Sequence, residues 1–218
     1  MRETVRKPSG ASRRGTQLRG DERRAKILEA ALSLLNSRDV SDITYSDVGR
    51  KAGIPLGSMH FFFPDIQSIY RAIWEADNRA ICERLEKPLR PGQCRSWRSI
   101  YYVLLDRGIK YMLSNPGVSQ LAISGKTSPA LMQRNHQLHN RMAPLFESII
   151  AAHIVLPSLR QRKRIFYIAI EIFDLILTLS MIQHGRLEPQ MIAEAKKASA
   201  GYLSLYFNED LPRRQAEA

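Results

Sequence analysis

Residues Thr44–Ile69 read TYSDVGRKAGIPLGSMHFFFPDIQSI, and the fold turns on how this stretch breaks into segments. Thr44 precedes Asp47 by three residues, a capping-box-like helix start with Asp in place of the usual Glu. A short helix follows through about Lys51. Ala52-Gly53-Ile54 breaks it, and the glycine supplies a positive-φ position without steric cost. A second short helix opens near Pro55, where a missing N–H does no harm, and runs to Phe63; Pro64 stops it. Helix, tight turn and second helix in this order form a unit that lays its second helix in the DNA major groove.

On the N-terminal side, Ile27, Leu28, Ala31, Leu34 and Leu35 recur on one helical face, so a helix starting near Asp21 precedes the pair. Residues 1–20 read as a flexible basic arm, either a solvated tail or a segment that reaches DNA. Residues 1–24 hold eight Lys/Arg against three acids, +5 of a net charge of +12. From Pro157 onward the balance is nearly even, with nine basic and seven acidic residues. An anionic partner therefore belongs to the N-terminal region.

On the C-terminal side, Asp65 caps a long helix reaching about Lys87. Ser96 caps another, and Asn115-Pro116, Ser128-Pro129, Pro157 and Glu188-Pro189 open four more. The expectation is an all-α chain of about nine helices. It divides into the arm (1–20), a helix-turn-helix domain (21–66), a sensing and dimerisation domain (67–208) and a frayed tail (209–218).

Hydrophobic residues make up 44% of the 218, enough for a real core. Cys82 and Cys94 form neither a zinc pattern nor a disulfide framework, which suits a reducing cytoplasm. The apolar run Ile165–Ile182 is interrupted by Glu171 and Asp174, so it reads as a buried helix and no membrane association is expected. A Gly-rich phosphate loop, a nucleophile elbow and a metal-ligand cluster are all missing from the sequence, which argues against an enzyme. The rival to a DNA-binding protein is a helical scaffold or membrane-surface protein using the cluster Arg160, Arg162, Lys163 and Arg164.

The quoted stretch resembles the TetR (tetracycline repressor) family, whose pattern runs T-x-x-D-I-A-x-x-A-G-V-S-x-G-T-L-Y-x-Y-F-x-S-K-x-x-L. Here it stands as Thr44, Asp47-Val48-Gly49, Ala52-Gly53-Ile54-Pro55, Gly57-Ser58-Met59-His60, Phe62-Phe63, Asp65-Ile66 and Ile69. The chain departs from it at His60 (usually Tyr), Pro55 (usually Ser) and Ile66 (usually a phosphate-contacting Lys). The resemblance implies a ligand-responsive regulator, by family habit a repressor, that binds palindromic double-stranded DNA as a homodimer. It further implies that the last two helices form the dimer seam.

Expected DNA contacts follow. Thr44 offers a hydroxyl and a helix N-terminus to phosphate; Pro55, Leu56, Gly57, Ser58 and Phe61 meet the bases; His60 and the backbone N–H groups of Gln67 and Ser68 meet phosphate. Val48, Ile54, Met59, Phe62 and Phe63 form the small core.

For the larger domain, the ligand-facing candidates are Trp97, Tyr101, Leu105, His136, His139, Met142, Phe146, Phe166, Phe173 and Asp174. The effector is expected to be mostly apolar, neutral or acidic. The seam is assigned to Phe173, Leu177, Ala195, Ala198, Gly201, Tyr202 and Leu205. His136 and His139 share a helix face, but the sequence offers them no third ligand nearby, so no metal and no cofactor are expected. A polar stripe, Tyr167, Glu171, Asp174 and Thr178, faces solvent, a pocket or the seam.

Overall fold

Caps set the helix starts. Thr44 Oγ1 accepts from the Asp47 N–H at 3.1 Å, and the Asp47 carboxylate accepts from the Thr44 N–H at 3.0 Å, which fixes the start of the second helix. Ser96 and Ser99 form the same reciprocal pair further on. The computed structural model describes residues 10–124 and 129–214. Among them it has nine α-helices: α1 (Gly10–Leu35), α2 (Tyr45–Ala52), α3 (Leu56–Phe62), α4 (Ile66–Leu85), α5 (Trp97–Ser114), α6 (Pro116–Ser124), α7 (Pro129–Ala151), α8 (Arg162–His184) and α9 (Pro189–Ser204). The described residues contain no strand, only an isolated antiparallel bridge between Ile154 and Arg213. The all-α expectation holds.

The chain separates into two compact units, Met1–Glu75 and Ala76–Ala218, with the division falling inside α4. In the first unit, Ile27, Ala31 and Leu35 of α1 are buried with Val48, Met59, Phe63 and Ile69. In the second, one apolar cluster runs through α5, α7, α8 and α9, built around Trp97, Tyr101, Phe146, Phe166 and Phe207.

Three boundaries differ from expectation. The first helix reaches back to Gly10 rather than starting near Asp21; residues 1–9 of the expected arm lie outside the described residues. Nothing between Gly10 and Asp21 is a proline, and its glycines tax a helix without breaking it. Helix α8 begins at Arg162 rather than Pro157, because the Arg162 guanidinium turns back to the Pro157 carbonyl at 2.9 Å and to Glu147 at 2.7 Å. The expected frayed tail is pinned as far as Arg214. The Val155 N–H donates to the Pro212 carbonyl at 2.8 Å, and the Arg214 N–H donates to the His153 carbonyl at 2.7 Å. The Arg214 side chain donates to the Ala151 carbonyl, and Arg98 pairs with Glu209.

Truncation after Asn208 removes these bonds together. It should lower unfolding stability by about 1–3 kcal/mol, since each net hydrogen bond contributes about 1 kcal/mol. An unchanged denaturant midpoint would show that the tail carries no stability.

Candidate functional site

The tight turn between α2 and α3 is made by Gly53, at φ 67°, ψ 31°. The Ile54 N–H closes it by donating to the Gly49 carbonyl at 3.1 Å. Behind the turn the helices touch. A Cβ on Gly49 would lie 2.8 Å from Met59 Sδ and 3.1 Å from Leu56 Cδ2. Met59 is fully buried, and Phe63 nearly so. Two ties hold the end of α3. Tyr45 Oη donates to the Phe63 carbonyl at 2.6 Å, and the Arg24 guanidinium sits 4.3 Å from the centre of the Phe63 ring.

With its back fixed, α3 turns its other face outward. Leu56, Gly57, Ser58 and His60 are exposed, and Phe61 is 87% exposed. An aromatic ring so exposed, beside a half-buried Phe62 and a buried Phe63, is unusual for a core residue. The expected core assignment holds for Val48, Met59 and Phe63; Ile54 and Phe62 are only half-buried.

Several groups expected at phosphate have partners within the protein. The Thr44 hydroxyl is engaged with Asp47, to which it donates at 2.7 Å, so α2 has its first N–H groups rather than that hydroxyl to offer. Those bonds, and then Arg38 and Arg50 nearby, hold the Asp47 carboxyl below its usual range. The Ser68 N–H is likewise taken, by the Asp65 carboxylate at 2.6 Å. That carboxylate occupies the α4 N-terminus where a phosphate would dock, which leaves Gln67 as the expected backbone contact there. His60 Nδ1 lies 3.0 Å from the Pro64 carbonyl, so it donates inward and its ring edge faces outward.

In Ala76–Ala218 the structure separates core from polar sites. Trp97, Tyr101, Leu105, Phe146, Phe166 and Phe173, all expected to meet ligand, are packed in the cluster. Trp97 meets Phe207 edge-on and Phe166 packs on it at a tilt, and Tyr101 meets Phe146 edge-on at 5.6 Å. Met142 is partly buried against the same cluster. Phe173, Leu177 and Ala195, assigned to the seam, also point into their own core, because α8 and α9 pack on each other along that side. Of the seam residues, Ala198, Gly201 and Leu205 are exposed and Tyr202 is half-buried.

The polar groups that sequence reading missed lie on α4. Asp77 and Asn78 each hold a buried side-chain oxygen with no hydrogen-bond partner. Burial raises the Asp77 carboxyl to about 6, against a hydrogen bond from Tyr111 that lowers it. Lone Asp and Asn residues in a helical stretch carry no sequence signal; only the fold shows them turned inward.

His136, His139 and Asp174 meet elsewhere, on α7 and α8. His136 Nδ1 and His139 Nδ1 lie 2.8 and 2.9 Å from the same Glu171 Oε1. Tyr167 Oη is 3.0 Å from His136 Nδ1. Burial pushes Glu171 up, but hydrogen bonds from His139, His136 and Tyr167 outweigh it and bring the carboxyl down to about 2. The polar stripe therefore faces α7 through Glu171, while Thr178 is buried with its hydroxyl on the Asp174 carbonyl at 2.8 Å. Beside this cluster an open groove of about 440 Å³ is lined by Asn140, Ala143 and Pro144 of α7 and by Lys163, Arg164 and Tyr167 of α8.

The same arrangement of helices recurs in known proteins. Residues 95–207, more than half of the chain, match the family model of the tetracyclin repressor-like C-terminal domain. The chain is 26% identical over 129 residues to the nucleoid occlusion factor SlmA of Actinobacillus pleuropneumoniae, covering 59% of this chain and 61% of that protein. It is 30% identical over 95 residues to the HTH-type transcriptional regulator SrpR of Pseudomonas putida, covering 43% of each. It thus spans less than two thirds of these relatives. The crystal structure of a TetR-family transcriptional regulator from Streptomyces coelicolor matches with a TM-score of 0.66 at 22% identity, over 85% of this chain and 99% of that one, which speaks for the fold. The chain belongs to the TetR family, a family of transcriptional regulators rather than enzymes.

Two predictions follow from the geometry. Phe61→Ala should change unfolding stability by less than about 0.5 kcal/mol, as expected of an exposed site. Met59→Ala should cost about 2–5 kcal/mol. Equal effects in denaturant titrations would contradict the division of α3 into an anchored back and an open front.

The Asp77 carboxyl binds its proton more tightly in the folded chain than in the unfolded one, where it titrates near 3.8. Stability therefore falls as pH rises from about 4 to about 6 and the loss is complete above that. Asp77→Asn should match the wild type below pH 4 and exceed it at neutral pH by up to about 3 kcal/mol, from 1.36 kcal/mol per pH unit. A difference between the two that does not change with pH in denaturant titrations would contradict the burial of the charge.

Proposed function

We propose that this protein is a ligand-responsive transcriptional repressor that binds an inverted-repeat operator as a homodimer and is released by a small, mostly apolar effector. The observation that carries the DNA-binding part is the open face of α3. Leu56, Gly57, Ser58 and Phe61 stand exposed on a helix whose opposite side is locked by Met59 and Phe63. Ser58 suits hydrogen bonds to base edges, and Leu56 and Phe61 suit thymine methyls. The excess of positive charge in residues 1–24 supplies the attraction to phosphate.

Replacing Ser58 and Phe61 together with Ala should relax or abolish discrimination between operator and random duplex, each lost base contact costing about 1–3 kcal/mol, while the far-UV circular dichroism stays unchanged. A well-folded double variant with undiminished selectivity would remove α3 from base recognition.

The homodimer rests on apolar side chains left uncovered on the last two helices. On α8, Leu175, Leu179 and Ile182 recur at steps of four and three and are exposed; Ala198 and Gly201 on α9 and Leu205 at its C-cap follow at steps of three and four. Such a row calls for a partner, and small residues allow a second helix to approach closely. Gly201→Arg should give a folded monomer in sedimentation that no longer holds both half-sites. A wild-type monomer at micromolar concentration would rule the dimer out.

The effector's chemistry is suggested by Asp77 and Asn78. Their unpartnered buried oxygens call for hydrogen-bond donors, so the effector we favour is an apolar molecule with an amine, amide or hydroxyl group rather than an acid. Asp77 lies on the helix that begins beside the DNA-facing segment, so a ligand held there acts on α4 directly. It works as a switch only if it prefers one state of the protein.

A further inference from the structure

On α7 and α8, outside the DNA-facing site, two pairs of potential metal ligands face each other. His136 and His139 are three residues apart on α7, and Glu171 and Asp174 are three residues apart on α8, so each pair lies on one side of its helix. Ligand atoms of His139, Glu171 and Asp174 all lie within 4.8 Å of one another. His136 reaches the same cluster through Glu171 Oε1 at 2.8 Å.

We propose that His139, Glu171 and Asp174, with His136 as the fourth ligand, form a binding site for a divalent transition cation of the zinc type.

The chemistry of the donors suits such an ion. Two imidazole nitrogens and two carboxylates make an N2O2 set, which a borderline cation such as Zn2+ or Co2+ accepts in tetrahedral geometry, whereas Mg2+ and Ca2+ call for oxygen ligands throughout. Two carboxylates beside two neutral imidazoles also balance a double positive charge. The contacts to Glu171 are close to what is needed, while His136, outside the group of atoms that lie within 4.8 Å of one another, has to swing inward to join. Zinc bonds to nitrogen and oxygen are about 2.0–2.2 Å, which places neighbouring ligand atoms about 3.3 Å apart in a tetrahedron. The two Nδ1···Oε1 distances are 2.8 and 2.9 Å, so the ion would part these atoms by about half an ångström, within the reach of side-chain rotation. Both histidines turn their Nδ1 toward Glu171, so one ion in place of the two bridging protons meets the same atoms.

Position favours binding as well. His139 is buried, with a side chain only 9% exposed, and is held in its orientation by the packing of α7 on α8. Glu171 and His136 are more open, which leaves a path for the ion from solvent. Tyr167 hydrogen-bonds to this cluster and steadies Glu171 and His136 from the outer side. An ion there would staple α7 to α8, and it would stabilise the folded chain over the unfolded one by mass action.

The test is calorimetric titration of the full-length, chelator-treated protein with ZnCl2, with CoCl2 as a spectroscopic probe. Expected are a single ion per chain and the visible absorption of tetrahedral Co2+ with nitrogen and oxygen ligands. The unfolding temperature should rise with added Zn2+. Glu171→Gln keeps a hydrogen-bond acceptor for both histidines and so preserves the fold. It should weaken Zn2+ binding by about tenfold or more and abolish the thermal shift. Asp174→Asn should do the same, and His139→Ala serves as a third variant if its circular dichroism is that of the wild type. No stoichiometric binding by the wild type would overturn the proposal. So would binding that persists unweakened in folded Glu171→Gln and Asp174→Asn, because the ion would then sit elsewhere, for example on Cys82 or Cys94.

Discussion

Met59 occupies the space that a side chain at Gly49 would need. The absent Cβ of Gly49 lets α2 and α3 approach until Met59 Sδ lies where a methyl group would stand 2.8 Å away, and Gly53 turns the chain between them at a φ that other residues adopt only under strain. The close approach sinks Met59 to full burial. A helix of seven residues has little stability of its own, so its rotation is set by the side chains it anchors. Anchoring Met59 and Phe63 fixes which way Ser58 and Phe61 point. The exposure of Phe61 is thus a consequence of packing on the far side of the same helix. Tyr45 and Arg24 complete the clamp by holding the Phe63 end.

The helix order could be read from the sequence because its signals are local. Thr44 and Asp47, Gly53, Pro64, Ser96, Pro116, Pro129 and Pro189 act on their own neighbours, and each marks a boundary within a residue or two of the observed one. The boundaries that differ depend on distant partners. Residues 209–214 look like a tail until Val155 and His153 are seen to pair with Pro212 and Arg214. Pro157 looks like a helix start until Arg162 claims its carbonyl.

The same division between local and distant holds for the sites. The exposed face of α3 was legible, since a family pattern and a helical period name its residues. The phosphate contacts were less so. The Thr44 hydroxyl and the Ser68 N–H are used within the protein by Asp47 and Asp65, and nothing in their residue types tells a cap from a ligand contact. In the larger unit, the aromatic residues chosen as ligand-facing are the core, because an aromatic at helical spacing fills any helical interior. Asp77 and Glu171 show the reverse. Each is a single acid on an apolar helix, and it takes the partners on α5 and α7 to show that one is buried with an unpaired oxygen while the other is met by two histidines. The partner that His136 and His139 share, Glu171, was invisible because it lies more than thirty residues away in the chain, on the adjacent helix.

The central claim is that the face of α3 opposite Met59 reads base sequence. Selection of bound duplexes from a random pool by the purified full-length protein tests it most directly. Expected is enrichment of an inverted repeat whose half-sites lie about one helical turn of DNA, or a multiple of it, apart. Recovery of random sequence, held only by a salt-sensitive attraction to phosphate, would contradict it.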